Sequence, residues 1–246
     1  MSSFSIVFFG NCRACVSSIA ALVVTLAAAT LAPVAALAQE VPTAQPVAPV
    51  QPEPPQAVAP ATAVPATGVK TNKPPFDLPK SFSATVRVAQ GSTVSEMKFF
   101  ASDNKLRLET KTRDFPVVLI ADLKEMSSKM LVPDRSIYIV RALTPSNAAA
   151  LDLRKAWQDP TLIWERKPDS IVEGVPCEVY HVTSGREGDP TYQTHDLFLN
   201  PATQLPLKVV IKTPKTEITQ LWTNVTPGPQ DAALFTEPAG YTEKQN

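Results

Sequence analysis

Ser81-Phe82-Ser83-Ala84-Thr85-Val86-Arg87-Val88-Ala89-Gln90-Gly91-Ser92-Thr93-Val94-Ser95-Glu96-Met97-Lys98-Phe99-Phe100-Ala101-Ser102 is the stretch whose reading decides the fold. In its first half Phe82, Ala84, Val86 and Val88 alternate with Ser83, Thr85 and Arg87, the period of a strand with one buried and one solvated face. Gly91-Ser92 turns the chain into a second strand that ends at Ser102. Asp103-Asn104 turns it again, into a third strand where Leu106 and Leu108 alternate with Arg107 and Glu109. Three strands joined by tight turns make an antiparallel meander.

The alternation continues toward the carboxy terminus in Val117 to Leu123, Met130 to Val132 and Ile137 to Val140. Later candidates are Leu162 to Arg166, Cys177 to Thr183, Tyr192 to Leu199, Leu207 to Thr213 and Glu217 to Val225. Gly174, Gly185, Gly188, Asn200-Pro201 and Thr213-Pro214 punctuate them. One segment breaks the pattern: Thr144-Pro145-Ser146 offers a capping hydroxyl followed by proline at the first helical position. A helix from Pro145 to Gln158 would put Ala149, Leu153, Ala156 and Trp157 on one side, and Asp159-Pro160 would end it. The fold expected is mainly β with a little α: a strongly curved antiparallel sheet, a half-open β-barrel of about 11 strands, covered by one or two helices.

Toward the amino terminus the composition changes. Val16 to Ala36 is a nearly unbroken run of Ala, Val, Leu and Ile behind Arg13, and Ala36-Leu37-Ala38 precedes Gln39-Glu40. Small residues at Ala36 and Ala38 suit signal-peptidase cleavage before Gln39, so residues 1–38 read as a signal peptide and the protein as periplasmic. An uncleaved inner-membrane anchor is the alternative. Residues 39–80 hold eleven of the 25 prolines, all from Val41 to Lys80. Missing amide donors and fixed φ angles make this an extended, disordered spacer, which leaves residues 81–246 as the single folded domain.

Lys+Arg and Asp+Glu are both 23, and removing Arg13 with the signal leaves 22 against 23. No basic excess or stripe marks a nucleic-acid binder. Cys12 and Cys15 precede the apolar run, so a processed chain keeps only Cys177 and forms no internal disulfide. Cys177, His181 and His195 are its only thiol and imidazole groups. They lack the spacing of a metal set and the base and orienting group that a nucleophile requires. No glycine-rich phosphate loop follows a strand, and no carboxylate pair stands out. The sequence assigns no catalytic residue, no metal and no cofactor.

Lys80-Ser81-Phe82-Ser83-Ala84 with Lys105-Leu106-Arg107-Leu108-Glu109, then Phe198-Leu199-Asn200-Pro201-Ala202-Thr203-Gln204-Leu205-Pro206-Leu207-Lys208-Val209, then Asp231-Ala232-Ala233-Leu234-Phe235 with Pro238-Ala239-Gly240, resemble the LolA/LolB-like periplasmic lipoprotein-carrier superfamily. Glu173-Gly174-Val175-Pro176-Cys177-Glu178-Val179-Tyr180 is similar to a segment of its uncharacterised outer-membrane lipoprotein-sorting relatives. The resemblance runs from Lys80 to Tyr241. The carriers usually begin with an amphipathic helix along the cavity, where this chain has Pro74-Pro75-Phe76-Asp77-Leu78-Pro79, so one cavity wall differs. The resemblance implies a non-enzymatic protein that binds a lipid, acyl chain or acylated protein in an apolar concavity. Its inward residues would be Val86, Val88, Met97, Phe99, Leu106, Leu108, Ile137 and Ile139, with Trp157 as the lid. The alternative is an envelope-sensing interaction module of the same fold, whose partner is a membrane-anchored envelope protein. The carrier reading requires an apolar hollow left open between sheet and helix, because interiors otherwise pack to crystal-like density.

Overall fold

The computed structural model describes residues 67–112 and 115–245. The cleavage site at Ala36, Ala38 and Gln39, and the spacer as far as residue 66, lie outside them. The strands are β1 (Lys70–Thr71), β2 (Ser81–Gln90), β3 (Thr93–Ser102), β4 (Lys105–Lys111), β5 (Pro116–Asp122), β6 (Ser127–Val132) and β7 (Ile137–Ala142). After two short helices, α1 (Pro145–Leu151) and α2 (Leu153–Trp157), come β8 (Ile163–Val172), β9 (Val175–Ser184), β10 (Gln193–Asn200), β11 (Leu205–Lys212), β12 (Glu217–Pro227) and β13 (Thr242–Glu243).

All thirteen strands form one open, curved sheet in the order β1-β8-β9-β10-β11-β12-β2-β3-β4-β5-β6-β7-β13. Every described pairing is antiparallel except β13 on β7. The eleven long strands are those marked by alternation. The two additions at the ends have two residues each, too short to show a period. Tight hairpins hold the register. At Glu173-Gly174 both residues take positive φ, 49° and 83°, which a two-residue turn matched to strand twist requires.

The helix expected from Pro145 to Gln158 is broken. Thr144 caps α1, its hydroxyl accepting from the Asn147 amide at 3.2 Å. Asp152 is extended (φ −82°, ψ 95°), and its Oδ1 accepts from the amides of Arg154 at 3.1 Å and Lys155 at 3.4 Å. A side chain that caps a helix competes with continuing one, so the chain stops and restarts at Asp152.

The main core lies on the concave face. Phe82, Val86, Val88, Met97, Phe99, Leu106 and Leu108 pack there with Leu197, Val209, Trp164, Tyr180 and Trp222, under Ala148 and Leu151 of α1 and Ala156 and Trp157 of α2. Phe76 belongs to the same cluster. The ordered body therefore begins ahead of Ser81, where the spacer was expected to continue.

A second cluster, Val118, Ile120, Leu131 and Phe235, sits on the opposite face. The carboxy-terminal segment covers it. The 3-10 turn Ala232–Phe235 is fixed by Arg107, whose Nη1 donates to the Leu234 carbonyl at 2.9 Å, and Lys129 pairs with Glu237 at 2.5 Å. At the other end of the sheet β8 is kinked, its register with β9 shifting between Lys167 and Ser170, where Pro168 and Asp169 are exposed. No helix among the described residues is long and apolar enough to cross a membrane.

Candidate ligand-binding face

Cross-strand register places the expected site residues on shared rows. Ala84 faces Phe99, Phe99 faces Leu108, Leu108 faces Leu119, Leu119 faces Met130 and Met130 faces Ile139. This row crosses six strands, roughly 24 Å at about 4.8 Å per spacing. Its members change environment along it: Ala84, Phe99 and Leu108 are buried, whereas Leu119, Met130 and Ile139 are half-buried. Leu119 is the last to pack on the main core; beyond it the row climbs into an open apolar strip. Val132 and Ile137, paired with each other and also half-buried, extend the strip.

The structure therefore divides the expected set. Val86, Val88, Met97, Phe99, Leu106, Leu108 and Trp157 come together in one buried cluster. Ile137 and Ile139 lie outside it, at the rim.

Over β8 to β11 the hollow is filled. Trp157, Leu162, Trp164, Val182, His195, Leu197 and Val209 enclose a slot of only about 10 Å³, about one water's worth of space. Phe76 plugs the region next to it, in ring contact with Trp164 at 5.4 Å and Tyr180 at 5.9 Å between centroids. The permanently open concavity required by the carrier reading is absent from this half of the face, because large aromatic side chains meet across it.

The two histidines fall on opposite faces. His181 points outward, its Nδ1 2.7 Å from Asp196 Oδ1, with Lys212 Nζ 3.9 Å from the other carboxylate oxygen. His195, adjacent to Asp196 on β10, points into the slot, and burial lowers its pKa to about 4. Period-two alternation enforces the separation. Cys177 is buried, and burial pushes its thiol pKa up, away from thiolate character. No group of three or more His, Cys, Asp or Glu that could hold a metal occurs among the described residues. An open groove of about 420 Å³ beside the β9–β10 connection is lined by Glu187, Asp189 and Lys212 together with Pro190, Tyr192 and Pro214.

No family model and no curated protein matches the chain. Solved structures do. The chain is similar to an uncharacterized conserved protein from Thermus thermophilus (10% identity, TM-score 0.46, covering 69% of this chain and 92% of that one). It is similar to the complex of MucA and MucB from Pseudomonas aeruginosa (18% identity, TM-score 0.39, 63% of this chain), of which it spans about half, 54%. It is also similar to a LolA superfamily protein from Nitrosomonas europaea (11% identity, TM-score 0.34, 67% and 92%). The open curved sheet with helices laid on its inner side is the architecture that the sequence resemblance implied.

Several residues of the face were not singled out from sequence. Phe76 is hidden among prolines, and Trp164, Tyr180 and Trp222 sit in strands read only for their period. Position within the alternation carried the available signal: Trp164, Val182 and His195 form one inward row by register.

Proposed function

We propose that the protein is a non-enzymatic periplasmic binding protein that takes an acyl chain, of a lipid or of a lipidated partner, along its concave face. One observation carries the reading: the inner row that leaves the core at Leu119 and continues half-buried through Met130 and Ile139. An acyl chain laid on this strip has its outer part against β5 to β7 and its inner end directed toward α1 and α2. Each methylene withdrawn from water contributes roughly 0.8 kcal/mol. The lid is two short helices joined at an extended residue, held to the sheet mainly by Ala148, Leu151, Ala156 and Trp157. These apolar contacts can be exchanged for those of a hydrocarbon once the hydrogen bond from Arg154 to the Asp103 carbonyl is released. The experiment is titration of the intact protein with a fluorescently labelled acyl ester, with Met130→Arg as the comparison. Loss of binding in the folded variant supports the site, and unchanged binding removes it.

The filled slot favours a second reading, an interaction module that engages an envelope protein. β13 pairs only with Ile137 and Tyr138 of β7, which leaves Ile139 to Ala142 as an edge where a partner strand can add. Native mass spectrometry of protein isolated from the periplasm separates the two readings. Co-purified lipid supports the first, and a defined protein partner supports the second.

A further inference from the structure

His195 is out of character with its surroundings. It stands on the inner face of β10, flanked across the sheet by Val182 and Ile211, and it is only 4% exposed. Its Nε2 is buried without a hydrogen-bond partner in the protein, and so is the indole N–H of Trp164. Both residues line the same slot. Buried polar atoms are nearly always paired, and an unpaired one destabilises the folded state. For packing alone leucine at 195 and phenylalanine at 164 would fill these places without the penalty. Two unpartnered ring nitrogens on the walls of one apolar slot are placed to hold a polar atom between them.

We propose that the slot receives the carbonyl oxygen of an ester- or amide-linked acyl group, accepting hydrogen bonds from His195 Nε2–H and Trp164 Nε1–H. This rests on the acyl reading above and adds the chemical class of the chain's carbonyl end, whose alcohol or amine part leaves through the gap that α2 opens. Burial keeps the His195 ring neutral near pH 7, and the proposed contact takes the tautomer that carries its proton on Nε2. A neutral donor suits an uncharged carbonyl. A carboxylate in the same place would lose its hydration with no countercharge on the slot walls, so the site discriminates against free fatty acids. The slot is too small for a carbonyl group while Trp157 closes it, so entry requires α2 to swing away at Asp152.

The test is calorimetric titration of the full chain at pH 8 with mono-oleoylglycerol and, separately, with oleate. The wild type is expected to bind the neutral ester at least tenfold more tightly. His195→Leu should lose about tenfold for the ester and leave oleate unchanged, and His195→Gln, whose amide can donate from a similar position, should recover most of that loss. Trp164→Phe, which removes the N–H and keeps most of the ring, should lose several-fold for the ester and serves as the comparison should His195→Leu not fold. Equal ester affinity in the wild type and in a folded donor-less variant overturns the carbonyl site while the acyl reading stands. Failure of the wild type to bind either compound overturns both.

Discussion

Phe76 meets Trp157 edge to face, ring centroids 5.6 Å apart at 88°, so the segment between β1 and β2 and the last turn of the helical lid close on each other over the concave face. Edge-to-face pairs of this kind add about 0.5–1.5 kcal/mol to the burial of their area. Phe76→Ala should therefore cost about 3–5 kcal/mol, read from urea unfolding midpoints. The same variant should take up a fluorescent acyl probe faster, because the lid loses the ring against which it rests. A variant with unaltered stability would mean that Phe76 contributes no net packing.

Asp152 governs the lid at its joint. It is buried, caps α2 and stands 3.4 Å from Arg154 Nε and 3.9 Å from Lys155 Nζ. Asp152→Ala should lose about 1 kcal/mol of cap energy, with Asp152→Asn close to wild type. Hydrogen exchange is the direct check: the Arg154 and Lys155 amides should lose protection in the alanine variant alone.

His195 makes stability depend on pH in a defined direction. Burial lowers its pKa to about 4, the neighbouring Asp196 partly opposing the shift and His181 adding slightly to it. The unfolded chain, with a pKa of about 6.5, binds more protons than the folded one between those values. Stability should be fully present above about pH 6.5 and decline as pH falls toward about 4. Glu165 and Glu237, whose carboxyl pKa values are lowered by hydrogen bonds from Lys167 and Lys129, add a decline at the acid end. Comparing wild type with His195→Leu across pH 4 to pH 8 isolates the histidine, since the leucine variant should lack the slope above about pH 4.5.

Position along the inner row should decide what a charge does. Val88 is 5% exposed inside the main cluster, so Val88→Arg should abolish cooperative unfolding. Met130→Arg, on the half-buried strip, should keep the wild-type circular dichroism spectrum and weaken the acyl probe by about tenfold or more, which corresponds to about 1.4 kcal/mol. A folded Met130→Arg with full affinity would move the site off the strip.

Much of the architecture is legible in the sequence because most long strands have one solvated face, and Phe82 through Val88 or Leu106 through Leu108 reveal it in every second residue. The break at Asp152 is not legible. Ala150-Leu151-Asp152-Leu153 has the apolar spacing of a helix interior, and only the backbone angles show that the carboxylate caps a second helix. Phe76 is concealed because a proline-rich neighbourhood reads as spacer, although Phe76, Leu78 and the pairing of β1 with β8 fix this segment to the body. Alternation also says which residues face inward but not whether they touch: Met97 and Ile139 follow the same rule, yet one is core and the other rim. As a metal ligand or a base, His195 would need neighbours that the sequence does not supply. Its lack of a partner emerges only when strands from distant parts of the chain are aligned.

The kink in β8 has a consequence for how copies of the protein meet. A sheet that never closes keeps a terminal strand, and beyond Glu165 the outer side of β8 extends past its two-residue neighbour β1. Pro168 supplies no amide hydrogen there, and the displaced register at Lys167 bends the strand out of line. A second molecule is denied a straight ladder to copy, so edge-to-edge pairing of copies is disfavoured at this strand.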